Sequence, residues 1–279
     1  MMMKKKYTLI LLLFLFLQGS NVFSASVDTV ETYSVSMQKK IKAVVVTPNS
    51  YSKGDKFPVV YLLHGYGGKY SSWIKLAPAI SDLADRYQMM IVSADGSTNS
   101  WYFDSPVNPA WKYETYVATE LVTWVDDHYH TIKNRNARAI TGLSMGGHGA
   151  FYLAFKHQDT FGAAGSTSGG VDIRPFPGKW GIADRLGSYA EKPERWEANT
   201  VTNMLHLLSP GKLALIFDCG TEDFFYGVNV ALHQKLSERN IPHDFISRPG
   251  GHTSEYWANA IIYQLQYFSA YFRLGNQMK

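Results

Sequence analysis

Residues 142–147, Gly142-Leu143-Ser144-Met145-Gly146-Gly147, contain the pattern G-x-S-x-G. An apolar run typical of a buried strand precedes the pattern at 137–143, and a helix-like stretch follows it at 147–157. In this context the pattern predicts a sharp strand-to-helix turn that holds the Ser144 hydroxyl clear of the backbone. The alternative is a Gly-rich turn whose serine takes no part in chemistry. We interpret Ser144 as a candidate nucleophile.

Strand-like and helix-like segments alternate on both sides of this turn. Short apolar runs typical of buried strands occur at 58–63, 89–94, 137–143, 213–217 and 243–248. Helical periodicity occurs at 71–87, 113–125, 147–157 and 227–239, and again in the stretch marked by Trp257, Ile261, Leu265, Phe268 and Phe272. This alternation predicts an α/β fold of the α/β-hydrolase type, with a mostly parallel sheet and helices on both of its faces. Two opening runs, 29–37 and 40–47, predict a hairpin that forms an antiparallel N-terminal edge.

The first residues have the pattern of a secretory signal peptide. Lys4, Lys5 and Lys6 precede an apolar run at 7–17 that is too short to span a bilayer, and small residues follow at 24–26. A membrane anchor is the alternative. We expect residues 1–25 to be a signal peptide and residues 26–279 to form a single catalytic domain. The mature protein is then exported, to the periplasm or the medium, without stable insertion in a membrane.

The charge balance gives no reason to expect a polyanionic partner. The chain has 27 Lys and Arg against 23 Asp and Glu, a net charge of +4. Three of the lysines belong to the predicted signal peptide, which leaves 24 against 23, or +1, in the remainder. Neither nucleic acid nor an anionic surface is therefore predicted as a partner.

A serine hydroxyl is a weak nucleophile without a neighbouring base. In this fold the order along the chain is serine, then an acid, then histidine. His252 follows the last short strand, within Pro249-Gly250-Gly251-His252, which predicts a loop position at the same sheet edge as Ser144. His148 lies in the helix behind the turn, too far back to act directly. His128 and His130 form an H-x-H pair near a helix end, but no further ligand lies nearby in sequence, so no metal site is predicted.

The third member of the set is expected after the penultimate strand. Residues 217–223, Phe-Asp-Cys-Gly-Thr-Glu-Asp, offer three acids there. The acid must reach the far ring nitrogen of the histidine and fix its tautomer. We favour Asp223, because a residue in the loop reaches outward more easily. Asp218, which ends the strand, is the second candidate and Glu222 the third.

Acyl transfer passes through an oxyanion, which requires hydrogen-bond donors fixed in advance. The backbone N–H of Met145, directly after the candidate nucleophile, is the first predicted donor. The second is the backbone N–H of Tyr66, in the glycine-rich loop at 64–68 that follows an early strand. A flexible turn is the alternative for this loop. Its spacing matches neither a Walker nor a dinucleotide-binding loop.

Aromatic residues at two places are candidates for the wall of a substrate pocket. Trp101 and Tyr102 follow a strand end in a polar loop, and Trp180 lies in a long excursion at 169–211. Aromatic side chains in such positions often line a pocket. The alternative is that they pack their loops onto the core.

At these positions the chain resembles the esterase D family of α/β-hydrolases. The motifs that carry the resemblance are Tyr61-Leu62-Leu63-His64-Gly65, Gly142-Leu143-Ser144-Met145-Gly146-Gly147, Gly220-Thr221-Glu222-Asp223 and Gly251-His252. The family includes S-formylglutathione hydrolases, feruloyl and acetyl-xylan esterases, tributyrin esterases and mycolyl transferases. The resemblance implies that Asp223 is the acid and that Tyr66 supplies an oxyanion donor.

The resemblance and the predicted export together imply a secreted serine carboxylesterase that needs no cofactor. Its expected substrates are small-molecule or oligosaccharide esters, either acetyl or feruloyl esters of plant polysaccharides or short-chain acyl esters. An acyltransferase and a thioesterase of the S-formylglutathione hydrolase type use the same residues and remain alternatives. A carbohydrate-binding protein without catalysis is the alternative outside enzymes, and the complete set of nucleophile, base and acid argues against it.

Overall fold

Eight strands form one mixed sheet in the computed structural model, which describes residues 25–277. The strands are β1 Ser26–Ser34, β2 Lys39–Thr47, β3 Val59–Leu63, β4 Met90–Ala94, β5 Arg138–Gly142, β6 Ala163–Thr167, β7 Ala214–Gly220 and β8 Asp244–Arg248. Their order across the sheet is β1-β2-β4-β3-β5-β6-β7-β8. The predicted signal peptide, residues 1–25, lies outside the described residues apart from Ala25.

The pairing of the strands matches the predicted architecture. β1 pairs antiparallel with β2, and β2 pairs antiparallel with β4. Every other pair is parallel, from β4 and β3 at one side to β7 and β8 at the other. The prediction of a mostly parallel sheet with an antiparallel N-terminal edge is confirmed.

Helices cover both faces of this sheet. They are α1 Ser72–Leu76, α2 Ile80–Tyr87, α3 Tyr113–Thr115, α4 Leu121–His128, α5 Met145–Lys156, α6 Ala183–Leu186, α7 Pro193–Ala198, α8 Tyr226–Glu238 and α9 Ser254–Gln277. A π-helical turn, Tyr116–Glu120, joins α3 to α4. Among residues 25–277, no helix has both the length and the apolar character that crossing a membrane requires.

Two hydrophobic clusters lie on opposite sides of the sheet, as β3 illustrates. Tyr61 belongs to the cluster that contains Phe151 of α5. Its neighbour Leu62 belongs to the cluster that contains Phe268 of α9. Successive side chains of a strand point to opposite faces, so a continuous apolar run such as β3 is buried on both sides. The carboxyl ends of the parallel strands consequently meet at one edge between the two layers of helices.

Two details differ from the sequence prediction. The helix predicted at 71–87 is divided into α1 and α2 around Pro78, which lacks the N–H that a continuous helix would need. β6 was not predicted, although it is a central strand between β5 and β7.

Candidate active site

Ser144 occupies a strained turn between β5 and α5. Its backbone has φ 56° and ψ −117°, a left-handed value of φ that a residue with a side chain rarely adopts. Hydrogen bonds to the neighbouring segment hold the turn. The N–H of Ser144 donates to the carbonyl of Thr167 at 2.9 Å, and the N–H of Gly170 donates to the carbonyl of Ser144 at 3.3 Å. These two hydrogen bonds, one to the end of β6 and one from the segment after it, stabilise the strained conformation of Ser144.

The glycines on either side of Ser144 permit a close approach between β5, α5 and the end of β3. A Cβ on Gly142 would lie 2.6 Å from the carbonyl oxygen of Leu63. A Cβ on Gly146 would lie 2.7 Å from the carbonyl oxygen of His64. Side chains at these positions would collide with backbone that is fixed in the sheet. This explains why the pattern requires glycine at both positions.

The structure brings together the three side chains favoured from the sequence as nucleophile, base and acid. Nε2 of His252 lies 2.9 Å from Oγ of Ser144. Nδ1 of His252 lies 2.8 Å from Oδ2 of Asp223, which is 5% exposed. Because a carboxylate accepts, Nδ1–H donates to Asp223 and Nε2 is left to accept the hydroxyl proton of Ser144. The other oxygen of Asp223 accepts the backbone N–H of Phe225 at 2.8 Å, which fixes the carboxylate.

The two other acids in this segment do not reach His252. Asp218 is fully buried and accepts hydrogen bonds from Nε2 of Gln264 at 2.7 Å and from Oγ1 of Thr167 at 3.1 Å. Burial raises the pKa of Asp218 to about 6, although the hydrogen bond from Gln264 opposes the rise. Glu222 is exposed on the surface. Asp218 thus links β7 to β6 and α9 below the site.

The two predicted oxyanion donors belong to segments that adjoin Ser144. Met145 is the first residue of α5, so its N–H has no acceptor within the helix. Tyr66 lies in a tight turn whose Gly68 N–H donates to the Gly65 carbonyl at 3.0 Å. A Cβ on Gly65 would lie 3.3 Å from the Cβ of Ser144, so this turn lies directly against the serine.

His64 supports the same turn from below and was not singled out from the sequence. Its Nε2 accepts the N–H of Gly96 at 2.8 Å, and its Nδ1–H donates to the carbonyl of Gly65 at 2.8 Å. The ring is completely buried, and burial lowers the pKa of His64, which keeps the imidazole neutral. A neutral ring with both nitrogens engaged holds the backbone that leads into Tyr66.

A cavity of about 440 Å³ opens over Ser144. It is lined by Gly65, Tyr66, Gly67, Gly68, Ser72, Leu76, Leu143, Ser144, Trp180, Phe224, His252 and Trp257. Four aromatic side chains, those of Tyr66, Trp180, Phe224 and Trp257, belong to this lining, and Trp180 is the one that was predicted as a pocket wall. Phe224 and Trp257 were missed, although the first follows Asp223 directly and the second comes five residues after His252.

Trp101 and Tyr102 require a correction, because neither lines the cavity. Both side chains are buried in the core. Nε1 of Trp101 donates to the carbonyl of Trp180 at 3.1 Å, and the hydroxyl of Tyr102 donates to the carbonyl of His64 at 3.0 Å. Gly149 lacks a Cβ, which leaves the space that the ring of Tyr102 fills against α5. These two residues support the loops around the cavity from behind.

Both histidines of the H-x-H pair near the end of α4 pack against aromatic rings. His128 stacks on Trp124 at 4.1 Å between centroids, and its Nδ1–H donates to the Trp124 carbonyl at 2.8 Å. His130 stacks on Tyr51 at 5.3 Å. Within the part of the chain that the structure describes, no three His, Cys, Asp or Glu side chains form a group suited to a metal ion.

Comparison with known proteins identifies the family. The family described as "Putative esterase" matches residues 34–268 of the 279. The chain belongs to this family. Its resemblance to the esterase D group is confirmed, and with it the α/β-hydrolase fold. The family is one of carboxylic-ester hydrolases.

Three of the similar proteins illustrate the relationship. An esterase of Mycobacterium tuberculosis is 29% identical over 235 residues, which cover 75% of this chain and 51% of that protein. This chain therefore spans about half the length of the mycobacterial relative. An acetyl esterase of Caldicellulosiruptor saccharolyticus is 24% identical over 229 residues, covering 77% of this chain and 84% of that one. A solved structure described as a ferulic acid esterase superposes with a TM-score of 0.77 at 30% identity, covering 90% and 99% of the two chains.

Proposed function

We propose that the protein is an exported serine esterase that hydrolyses carboxylic esters through an acyl-enzyme. The observation that carries this proposal is the connected set of Ser144, His252 and Asp223 at the cavity, with contacts of 2.9 and 2.8 Å. The names of its relatives, which include an acetyl esterase and a ferulic acid esterase, support an ester as the substrate.

In the acylation step, Oγ of Ser144 attacks the ester carbonyl while Nε2 of His252 takes its proton. The imidazolium that forms is held by the Asp223 carboxylate at 2.8 Å. Negative charge develops on the carbonyl oxygen, and the N–H groups of Met145 and Tyr66 are the donors that receive it. Met145 also contributes the positive end of the α5 dipole. His252 then returns the proton to the departing alcohol.

Deacylation repeats these steps with water as the nucleophile. His252 takes a proton from the water, whose oxygen attacks the acyl carbonyl, and the oxyanion donors act a second time. The acid product leaves when Oγ of Ser144 recovers its proton from His252. Every group that these steps need belongs to this chain, and no step calls for a cofactor.

Acetyl or feruloyl esters of plant polysaccharides, or short-chain acyl esters, are the proposed substrates. The cavity of about 440 Å³ holds a small acyl group together with part of an alcohol. Its aromatic wall suits ring-shaped groups on either side of the ester bond. The proposed export agrees with such substrates, because polymers of this kind lie outside the cell.

Hydrolysis of p-nitrophenyl acetate by the wild type and by Ser144→Ala tests the proposal. We expect turnover by the wild type and a loss of several orders of magnitude in the variant, with the melting temperature unchanged. Ser209→Ala, a matched change at an exposed serine, should keep full activity. Equal rates for Ser144→Ala and the wild type would refute the assignment. Secretion of the full chain from a bacterial host, with a product shortened by about 25 residues at its N-terminus, tests export.

A further inference from the structure

We propose that the hydroxyl of Tyr102 positions the N–H of Tyr66 as a donor to the oxyanion. The inference rests on the proposed function, because the oxyanion is the ester carbonyl oxygen that becomes charged when Ser144 attacks. Tyr102 is fully buried behind the cavity and does not line it. It is a positioning residue, which acts through the backbone of the turn at 64–68.

The direction of the Tyr66 N–H is set by the peptide group that it shares with the carbonyl of Gly65. A peptide group is planar, and in its trans form the C=O and the N–H point in opposite directions. The Gly65 carbonyl accepts the Nδ1–H of His64 at 2.8 Å and the N–H of Gly68 at 3.0 Å. These hydrogen bonds hold the carbonyl on one side of the turn and so direct the Tyr66 N–H to the other. Within residues 25–277 that N–H has no acceptor, which leaves it available to a ligand oxygen.

The preceding peptide group, between His64 and Gly65, is held by Tyr102. Its carbonyl accepts the Tyr102 hydroxyl at 3.0 Å, in a buried contact. Gly65 joins this peptide group to the one that carries the Tyr66 N–H, and a residue without a Cβ restricts rotation between them least. Removal of the hydroxyl therefore frees the first peptide group to rotate and lets the second follow. The Tyr66 N–H then loses its fixed direction.

The backbone of Tyr102 is itself strained. Its φ is 60° and that of Trp101 is 52°, left-handed values that bulky residues rarely adopt. The N–H of Tyr102 donates to Oγ of Ser100 at 3.0 Å, and the ring fills space in which a Cβ on Gly96 or Gly149 would collide. Strain of this kind persists only where the surroundings enforce it, and it is concentrated at functional sites. The enforced conformation presents the hydroxyl to the turn at a fixed place.

Two further hydrogen bonds join the segment at 96–102 to the turn. The N–H of Gly96 donates to Nε2 of His64 at 2.8 Å, and the N–H of Gly67 donates to the carbonyl of Thr98 at 2.8 Å. In both, the segment contributes a backbone group, which a side-chain substitution leaves in place. Tyr102 contributes a side-chain hydroxyl, which a substitution can remove while the ring stays.

Tyr102→Phe tests the proposal, with Tyr116→Phe as the matched control. Tyr116 is also fully buried, and its hydroxyl is hydrogen-bonded to Oγ1 of Thr32 at 2.7 Å, outside the cavity lining. The quantities to measure are kcat/KM for p-nitrophenyl acetate, the rate of acetyl-enzyme breakdown, and the inhibition constants of phenylboronic acid and acetanilide. Phenylboronic acid forms a tetrahedral adduct with a reactive serine and places an oxygen where the oxyanion lies. Acetanilide is a planar amide that resembles the substrate before attack.

We expect Tyr102→Phe to lower kcat/KM and the breakdown rate by the same factor, roughly tenfold, because an oxyanion forms in both steps. The factor is smaller than the roughly 10²- to 10³-fold cost of removing a donor, because the Tyr66 N–H is misdirected but still present. The inhibition constant of phenylboronic acid should rise by this factor, and that of acetanilide by less than about twofold. Tyr116→Phe should leave all four quantities unchanged.

A purely structural role for Tyr102 would lower the melting temperature and leave all four quantities unchanged in the folded variant, which would overturn the proposal. Equal weakening of both inhibitors would overturn it as well, because the tetrahedral and the planar ligand would then be affected alike. In both cases the esterase assignment survives, because the wild type still hydrolyses p-nitrophenyl acetate. Failure of the wild type on this ester would instead refute the proposed function.

Ser100→Ala supplies a second test that keeps the hydroxyl of Tyr102. It removes the acceptor of the Tyr102 N–H and so loosens the strained backbone that carries the ring. We expect weaker inhibition by phenylboronic acid, with inhibition by acetanilide unchanged. Should Tyr102→Phe not fold, unchanged inhibition by phenylboronic acid in a folded Ser100→Ala variant would overturn the proposal.

Discussion

Asp223 and His252 are joined by more than their side-chain contact of 2.8 Å. The N–H of Thr221 donates to the carbonyl of Arg248 at 2.9 Å, and the N–H of Glu222 donates to the carbonyl of Gly250 at 3.0 Å. The loops that follow β7 and β8 are thus hydrogen-bonded to each other through their backbones. The acid and the base are held in register even when one side chain is altered.

Asp223→Asn should therefore abolish most activity while the fold survives. The N–H of Phe225 still needs an oxygen of residue 223 as its acceptor, so the amide presents its NH2 group to Nδ1 and holds His252 in the wrong tautomer. A comparable change costs roughly 10⁴-fold in kcat. Steady-state kinetics on p-nitrophenyl acetate checks the loss, and thermal unfolding checks the fold. Asp218→Asn is the matched control, because Asp218 contacts Thr167 and Gln264 instead. A greater loss in the control than in Asp223→Asn would reverse the assignment of the acid.

Asp218 should make the protein less stable as the pH rises from about 4 to 6. Burial raises the pKa of this carboxyl from 3.8 to about 6 in the folded chain, so the folded state binds the extra proton between these values. Its contribution is complete below the unfolded pKa and is lost above the folded one, a change of about 3 kcal/mol. Between pH 4 and pH 7, urea unfolding should show the free energy of unfolding of Asp218→Asn rising by that amount relative to that of the wild type. Parallel curves of unfolding free energy against pH for the wild type and Asp218→Asn would contradict the assignment of this effect to Asp218.

His148 should have the opposite effect, making the protein less stable as the pH falls from 6.5 to about 4. Its ring is fully buried behind the Ser144 turn, where Nε2–H donates to the carbonyl of Asn199 at 2.9 Å. Burial lowers the pKa of His148 from 6.5 to about 4, so the unfolded chain binds the proton first as the pH falls. The stability present above pH 6.5 falls by about 3 kcal/mol as the pH drops through the folded value. In urea unfolding followed as a function of pH, His148→Gln should not show this loss of stability. The same pH dependence in His148→Gln and in the wild type would contradict the prediction.

Gly146→Ala should disrupt the Ser144 turn. The added Cβ would lie 2.6 Å from the carbonyl carbon of Leu63, a backbone atom that cannot move without shifting β3. We expect a loss of several kcal/mol in the free energy of unfolding and loss of hydrolysis. Gly227→Ala is the matched control. It lies in α8 with open space around the new Cβ, and should raise stability by roughly 0.5–1 kcal/mol. Similar stability changes in the two variants would contradict the packing argument.

Much of the site was predictable because its geometry follows from strand order. Ser144, Asp223 and His252 follow β5, β7 and β8, whose carboxyl ends meet at one edge of a parallel sheet. Motif spacing along the chain therefore indicates proximity in space. The backbone donors follow from the same reasoning, because Met145 begins the helix after the turn.

Other features depend on contacts between distant segments and leave no local pattern. β6 is composed of small residues, Ala-Ala-Gly-Ser-Thr, and Gly165 within it packs closely against Gln264 of α9. Three of the five β6 residues are alanine or glycine, which are depleted in strands, so the strand was missed. Tyr102 was wrongly predicted at the cavity, because its burial depends on the space that Gly96 and Gly149 leave for its ring. Phe224 was missed because its exposure beside His252 becomes visible only in three dimensions.

The location of the acyl group during turnover tests the central claim most directly. Wild type and Ser144→Ala would be quenched in acid during turnover of p-nitrophenyl acetate and mapped by peptide mass spectrometry. We expect an acetyl group on Ser144 of the wild type, and neither acetylation in that peptide nor hydrolysis in the variant. Acetyl on a different residue, or continued hydrolysis by Ser144→Ala, would contradict the claim that Ser144 is the nucleophile.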